Sequence, residues 1–270
     1  MFTTLPAIAF PVIDPVIFAI GPFAVRWYAL AYIVGLVAGW RMAMRIAGRP
    51  GSDATPAQID GFLIWATLGV VLGGRLGYVL FYNPGHYLQN PADILAVWQG
   101  GMSFHGGMLG VTVAMLVYCR LLKIPFLAFT DIIACVAPIG LFFGRIANFI
   151  NGELWGRVAA DVPWAMVFPT GGPEPRHPSQ LYQAAMEGLI LFLVLNLLRW
   201  NTRAIDRPGL LSGLFLAGYG IARIIGELFR QPDAQIGYLI AGTTMGQWLS
   251  LPMVLLGLGV AWWANRIRPA

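Results

Sequence analysis

The chain alternates long apolar runs with short polar segments, and seven of these runs have about the 20 residues that a helix needs to cross a bilayer. The helices predicted from them are Val25–Met44, Gln58–Tyr82, Met102–Leu122, Phe126–Ile150, Ser179–Leu198, Gly209–Phe229 and Gly246–Asn265. The pattern therefore predicts an all-α polytopic membrane protein with about seven transmembrane helices. We expect the apolar, proline-interrupted stretch before the first helix to lie on the membrane surface.

The longest segment outside the predicted helices covers about residues 151–178 and is rich in Gly and Pro. Its run VPWAMVFP has the composition of a short strand. We expect a small periplasmic cap or head there, within one integral membrane domain that spans residues 1–270. The first residues lack a basic region and a cleavage site of small residues, so we expect no cleavable signal peptide.

Composition supports the membrane interpretation. The chain is 58% hydrophobic and only 11% charged, whereas soluble domains carry roughly a quarter of charged residues. Cys119 and Cys135 both lie in apolar runs, which favours two free, buried thiols over a disulfide or a metal site.

Cationic residues are unevenly distributed, and this predicts the orientation. Ten of the 17 Lys and Arg residues follow the first, third, fifth and seventh predicted helices. They are Arg41, Arg45, Arg49, Arg120, Lys123, Arg199, Arg203, Arg207, Arg266 and Arg268. The positive-inside rule puts these ends and the C-terminus in the cytoplasm and the N-terminus outside.

A second group of arginines falls in the outer half of the predicted bundle. Its members are Arg26, Arg75, Arg145, Arg223 and Arg230. Charge at this depth is costly and needs a partner. We expect Glu153 and Glu227 to supply part of the compensation and an anionic ligand the rest, with phosphate suited to planar guanidinium groups. Snorkelling or structural ion pairing is the alternative, most of all for Arg26 and Arg230.

The segment from Gly144 to Gly156, GRIANFINGELWG, concentrates polar residues at the end of an apolar run. Arg145 and Asn148 are three residues apart and share a helix face. Asn151 with Gly152 and Gly156 ends the helix and leaves Glu153 on the exit turn. This pattern predicts a polar pocket within the membrane.

Three further motifs carry candidate residues. His105 lies in the glycine-rich GGMSFHGGMLG, where an imidazole can act as a general base, orient a substrate or bond a facing helix. Tyr219, Arg223 and Glu227 are spaced by four residues, so Glu227 either positions Arg223 or simply neutralises it. RHPSQLYQA, which begins at Arg176, indicates a helix start with Ser179 as a candidate N-cap, and we interpret it mainly as structural.

The sequence contains none of the motifs that we searched for to indicate metal or nucleotide chemistry. There is no H-E-x-x-H, no nucleotide-binding glycine loop and no acidic cluster for a divalent metal. We therefore expect no metal, no cofactor and no nucleic-acid partner.

These motifs resemble those of the bacterial prolipoprotein diacylglyceryl transferase family. The family signature G-R-x-[GA]-N-F-x-N-x-E-x-x-G is filled without departure by Gly144, Arg145, Ala147, Asn148, Phe149, Asn151, Glu153 and Gly156. The resemblance also covers His105–Gly106–Gly107, RHPSQLY and Y-G-x-x-R-x-x-x-E at Tyr219, and it extends from the first predicted helix to the end of the sixth.

The resemblance implies a reaction, a fold and a location. The family moves the sn-1,2-diacylglyceryl group of phosphatidylglycerol to the lipobox cysteine of a prolipoprotein signal peptide, forming a thioether and releasing glycerol-1-phosphate without a metal or nucleotide. It has seven transmembrane helices and a periplasmic head, and it acts among membrane lipids in the bacterial inner membrane. A lipid or anion transporter or flippase is the competing class, but we find no repeat symmetry to support it.

The resemblance also implies roles for individual residues. Arg145 and Arg223 would clamp the phosphate, and His105 would be the base or an orienting group, with Glu153 or a tyrosine as the alternative base. The remaining residues expected to line the substrate pocket are Tyr28, Asn148, Asn151, Gly156, Tyr219 and Glu227.

Overall fold

The computed structural model describes residues 8–11, 13–21, 23–232 and 237–266. Its helices are α1 Trp27–Ala47, α2 Pro56–Phe81, α3 Pro84–Gln89, α4 Phe104–Leu121, α5 Phe126–Ile150, α6 Ser179–Asn201, α7 Leu210–Glu227 and α8 Met245–Arg266. Its short strands are β1 Ile8–Ala9, β2 Val16–Ile20, β3 Phe23–Arg26 and β4 Met166–Val167. Short 3₁₀ turns lie at Pro91–Leu95, Val97–Gln99, Ala204–Asp206 and Ile240–Gly242.

Among the described residues, six helices are long and apolar enough to cross a membrane, namely α1, α2, α5, α6, α7 and α8. The predicted third span corresponds to α4, whose apolar part, His105–Leu121, is shorter. The all-α polytopic membrane class is confirmed, and the count of seven stays a prediction. The outer faces of these helices are apolar, with Leu36, Ile64 and Leu255 all more than half exposed, as expected for surfaces that face lipid.

The chain forms two compact units. The first unit comprises Met1–Met42 and Thr130–Ala270, and the second comprises Ala43–Phe129.

In the second unit, α2 and α4 pack through glycines. A Cβ added at Gly106 would overlap the carbonyl oxygen of Gly73, and one added at Gly110 would overlap that of Gly69. The two backbones therefore touch, as in the small-residue contacts of membrane helices. Gly106 and Gly110, near His105, are thus explained by helix packing.

In the first unit, the segment that follows α5 forms a small head. β4 pairs in parallel with β1, which confirms a strand within VPWAMVFP, and β2 and β3 form an antiparallel hairpin just before α1. Isolated bridges join Gly156 to Arg230 and Val158 to Arg176. The head is therefore tied by backbone hydrogen bonds to the end of α7.

A buried carboxylate fixes the start of α7. Asp131 on α5 is fully buried and accepts hydrogen bonds from the backbone of Gly209 (2.8 Å) and Ser212 (2.7 Å). It thereby satisfies free N–H groups at the helix N-terminus. Cys135, also on α5, and Cys119 in the second unit are both buried and form no disulfide, as predicted.

Candidate functional site

Two arginines and one glutamate form the centre of the candidate site in the first unit. Arg145 on α5 donates from Nε (3.1 Å) and Nη2 (2.9 Å) to the same oxygen, Oε2, of Glu187 on α6. Arg223 on α7 approaches the other oxygen, with 3.7 Å between its Nη1 and Glu187 Oε1. Glu187 is completely buried, whereas the two arginine side chains remain 17% exposed. One buried carboxylate therefore lies between two guanidinium groups that are partly exposed.

Local structure explains how Glu187 reaches Arg145. The stretch Ala184–Ile190 of α6 is π-helical, a feature that often marks functional sites. Its Gly188 packs so closely against Phe142 that an added Cβ would lie 2.6 Å from the Phe142 Cβ. Since Phe142 is one turn before Arg145, this close approach of α5 and α6 brings the two charged side chains together.

Glu227 forms a second node at the end of α7. Its Oε1 pairs with Arg223 Nη2 (2.8 Å) and Arg230 Nη1 (3.3 Å), and its Oε2 accepts from Thr244 Oγ1 (2.7 Å). Arg223 thus bridges Glu187 and Glu227. The structure contains the Arg223–Glu227 pair that the four-residue spacing indicated.

Thr244 connects this node to the start of α8. Its hydroxyl accepts from the backbone N–H of Gln247 (3.4 Å), and the Gln247 side chain accepts from the Thr244 N–H (3.1 Å). This reciprocal arrangement is a capping box. The same hydroxyl therefore caps α8 and holds the Glu227 carboxylate.

Polar residues at the C-terminal end of α5 form a neighbouring cluster. Asn148 Nδ2 donates to Glu153 Oε1 (2.7 Å), and the Tyr28 hydroxyl lies beside Asn148 and 3.2 Å from the Tyr32 hydroxyl. The Glu153 backbone carbonyl accepts from Gln180 Nε2 (2.6 Å). Three residues predicted to line a pocket, Tyr28, Asn148 and Glu153, are therefore brought together.

Other predicted site residues lie around these clusters. Tyr219, one turn before Arg223 on α7, is buried and interacts with Arg145. Asn151 begins the turn after α5. Gly156 is buried where a Cβ would lie 2.5 Å from the His177 carbonyl oxygen, so its backbone contact demands glycine.

The expectation that Glu153 compensates the buried arginines is wrong in detail. The partner of Arg145 is Glu187, while Glu153 bonds to Asn148. Sequence reasoning missed Glu187, although a lone carboxylate inside an apolar run was a usable signal. It also missed Thr244, which only the fold brings to Glu227.

The five arginines that the sequence predicts in the outer half of the bundle make different contacts. Arg145, Arg223 and Arg230 share the two carboxylates, and Arg26 ends β3. Arg75, in the second unit, instead donates to backbone carbonyls of Ile94 (2.9 Å), Gly100 (2.7 Å) and Gly101 (3.1 Å). We expected Arg75 to help bind an anionic ligand, and this is wrong: its guanidinium group instead holds the segment between α3 and α4 by hydrogen bonds.

His105 also belongs to the second unit. It lies in the first turn of α4, on its exposed side. Ser103 caps this helix by accepting from the Gly106 N–H (3.1 Å).

Two arginines of the head are structural. Arg157 donates to the carbonyls of Glu227 (2.9 Å) and Arg230 (3.0 Å), so it caps the end of α7. Arg176 stacks on Trp155, 4.1 Å from the ring centre, and donates to the Gly171 carbonyl (2.8 Å).

The end of the head lies against the start of α6. Ser179 does not act as the predicted N-cap, because it is already the first helical residue and its hydroxyl donates to the Leu154 carbonyl (2.9 Å). His177 Nδ1 lies 3.1 Å from the Tyr182 hydroxyl. Burial lowers the pKa of His177, while the nearby Asp161 opposes this shift and Arg157 reinforces it.

Comparison with known proteins identifies the family. The model of the family described as "Prolipoprotein diacylglyceryl transferase" matches residues 15–263. The chain belongs to this family. A protein of Paramagnetospirillum magneticum named phosphatidylglycerol–prolipoprotein diacylglyceryl transferase is 61% identical to the chain, over 96% of the chain and 97% of the relative. Proteins of the same name from Rhodospirillum rubrum (58% identical, 97% and 96% covered) and Azospirillum brasilense (57%, 98% and 98%) are also similar.

In this member of the diacylglyceryl transferase family, the signature residues occupy the last turns of α5 and the turn that follows. The predicted family resemblance is thereby confirmed. Among the described residues, no group of three His, Cys, Asp or Glu side chains is arranged to hold a metal ion.

Proposed function

We propose that this chain transfers the sn-1,2-diacylglyceryl group of phosphatidylglycerol to the lipobox cysteine thiol of prolipoproteins. The similar proteins named above carry this substrate and acceptor in their names. The supporting observation is the cluster in which Arg145 and Arg223 flank Glu187. The cysteine sulfur attacks the diacylglyceryl carbon that bears the phosphate ester, the carbon–oxygen bond breaks, and glycerol-1-phosphate leaves.

The guanidinium groups stabilise the leaving group. As the carbon–oxygen bond breaks, negative charge grows on the phosphate, and donors positioned in advance lower the barrier. The Arg145 and Arg223 side chains are each 17% exposed, which leaves part of both guanidinium groups available to a phosphate oxygen. Arg145 and Arg223 are accordingly proposed as the catalytic phosphate clamp.

The thiol must lose its proton to become an effective nucleophile, because a free thiol titrates near pH 8.5. We assign the role of the base to His105, because it lies in the H-G-G motif that resembles the motif of the family. Glu153 and a tyrosine remain the alternatives for this step. Tyr28, Asn148, Asn151, Gly156, Tyr219 and Glu227 are proposed to line and order the substrate site.

The location follows from the charge distribution. A multi-pass protein of the bacterial inner membrane, with the N-terminus in the periplasm and the C-terminus in the cytoplasm, puts the arginine cluster in the outer leaflet. The head at about residues 151–178 then lies on the periplasmic side, within a single membrane domain.

The direct test is the mass of a synthetic lipobox peptide after incubation with the purified chain and phosphatidylglycerol. We expect the peptide to gain one diacylglyceryl group and glycerol-1-phosphate to appear in equal amount. A peptide with Ser in place of the lipobox Cys is the matched control and should stay unmodified. An unchanged Cys peptide, or movement of lipid across vesicles without peptide modification, would contradict the proposal.

A further inference from the structure

Buried polar atoms without partners cluster between α6 and α7. Gln183 Nε2, Glu187 Oε1 and Arg223 Nη1 all lack a hydrogen-bond partner among the protein atoms. Gln183 and Glu187 are 1% and 0% exposed and lie four residues apart on α6. The Gln183 carboxamide packs against Gly226, one turn beyond Arg223. Since an unpaired buried polar group is costly, these atoms indicate a place for a polar ligand.

The spacing of two of these atoms defines the chemistry of the ligand group. Glu187 Oε1 and Arg223 Nη1 are 3.7 Å apart, too far for a hydrogen bond with each other. One oxygen atom can nevertheless lie about 2.8 Å from both, a normal hydrogen-bond distance. That oxygen must accept from the guanidinium and donate to the carboxylate. A hydroxyl group does both, whereas an ionised phosphate oxygen only accepts.

Arg145 cannot replace the ligand at this position. Both of its contacts go to Glu187 Oε2, which leaves Oε1 to face Arg223. The Arg145 and Arg223 side chains are each 17% exposed, so both arginines that contact Glu187 are partly accessible from outside the protein.

We propose that Glu187 and Arg223 bind a hydroxyl group of the terminal glycerol in the lipid headgroup, and that Gln183 donates a second hydrogen bond to the same polyol. Glu187 and Gln183 are then specificity-determining residues that select a glycerol phosphate over a bare phosphate. This inference rests on the proposed function, because it assigns the headgroup glycerol to α6 and the phosphate to the guanidinium groups.

The test is calorimetric binding to the purified full-length protein, which does not depend on turnover. The two probes are glycerol-1-phosphate and inorganic phosphate, which differ by the glycerol. We expect the wild-type protein to bind glycerol-1-phosphate about tenfold more tightly, the effect of one good hydrogen bond to a charged group. Equal affinities in the wild-type protein would overturn the inference whether or not any variant folds.

Two variants and a control test which residues cause the preference for glycerol-1-phosphate over inorganic phosphate. Gln183→Met keeps the shape but removes the hydrogen bond, and we expect it to weaken glycerol-1-phosphate binding about fivefold without changing phosphate binding. Glu187→Gln should bring the affinity ratio close to one while phosphate binds as well as before or more tightly, because a negative charge is removed. Leu193→Met, on the exposed side of α6, should change neither affinity.

Two outcomes separate this inference from the proposed function. If both variants keep the wild-type ratio, ordered water occupies the position and the inference is wrong, even where lipobox peptides are modified normally. If the wild-type protein prefers glycerol-1-phosphate and the variants lose that preference, the subsite is supported by a measurement that stays valid without the transfer assay.

Discussion

Arg145 is held by a geometry that a point charge cannot reproduce. Its Nε and Nη2 both donate to Glu187 Oε2, which fixes the plane of the guanidinium group. A buried charge of this kind is tolerated in a membrane only with a paired partner, and removing one partner leaves the other uncompensated. The plane of Arg145 is therefore set before any ligand arrives.

We expect Arg145→Lys to lower the rate of transfer by about tenfold to a hundredfold, because one ammonium replaces a planar fork of donors. Arg145→Ala should abolish transfer. Initial rates with a lipobox peptide measure the effect, and Arg41→Lys, at an exposed position on α1, is the control expected to stay normal. Near-normal turnover of Arg145→Lys would refute recognition by the planar group.

Thr244 acts through Glu227 and is a positioning residue. We expect Thr244→Val to lower kcat/KM about tenfold, because Glu227 Oε2 loses a hydrogen bond and Arg223 loses part of its support. Thr244→Ser keeps the hydroxyl and should restore the rate, which a purely steric role would not predict. Thr243→Val removes a neighbouring exposed hydroxyl and serves as the control. A Ser variant as slow as the Val variant would count against positioning through the hydroxyl.

His105 can be tested by a pH–rate profile of His105→Gln. As a base, it predicts a loss of about 10² to 10⁴ in rate, partly relieved at higher pH where the thiolate forms unaided. As an orienting group, it predicts a smaller loss and an unchanged profile. Wild-type activity across the whole pH range would remove His105 from the chemistry and favour Glu153 or a tyrosine.

Sequence reasoning located the arginines better than their partners. Arg145 and Asn148 stood out because they are polar, three residues apart and inside an apolar run. Glu187 stood equally deep in its run, but nothing in a single sequence pairs it with Arg145 on another helix. Thr244 lies 17 positions after Glu227, and only the return of α8 beside α7 brings their side chains together.

Helix length follows from bilayer thickness, so the apolar runs predicted the elements well. The predicted span Phe126–Ile150 coincides with α5, and the other ends differ by a few residues. The π-helical turn of α6 was not predictable, because periodicity arguments assume 3.6 residues per turn. That turn carries Glu187, so the departure from regular helix falls where the charge is buried.

The close contact between helices α2 and α4 predicts that an added side-chain carbon in their interface lowers the stability of the protein. We expect Gly106→Ala to destabilise the protein by about 1–3 kcal/mol, since the added Cβ overlaps the Gly73 backbone and neither helix can yield locally. Gly107→Ala is the matched control, because its Cβ would lie an ordinary 3.4 Å from the Val70 carbonyl. Thermal unfolding in detergent measures both, and equal stability of the two variants would show that the helices can separate at little cost.

At the scale of the whole molecule, charge has two separate functions. One set of cationic residues lies in the last two turns of α1, α4, α6 and α8 or just after these helices. A second set, Arg145, Arg223 and Arg230, is compensated by Glu187 and Glu227 inside the first unit. Compensated charges contribute little to orientation, since the topological bias depends on the basic residues that flank the spans. The buried arginines can therefore lie at the outer side without reversing the insertion.

The topology itself gives the last prediction. The predicted seven-span topology puts ten of the 17 cationic residues on one side of the membrane. Arg268 of this set falls outside the described residues. We expect a reporter fused after Ala270 to be active only in the cytoplasm, and one inserted in the head after Asp161 to be active only in the periplasm. Since α4 is not among the six helices that are long and apolar enough to cross a membrane in the described part of the chain, a reporter between α2 and α4, after Asn90, tests whether it crosses. A periplasmic signal there together with a cytoplasmic signal after Lys123 would establish the crossing, whereas a periplasmic C-terminus would place the arginine cluster in the leaflet opposite to the one the charge pattern predicts.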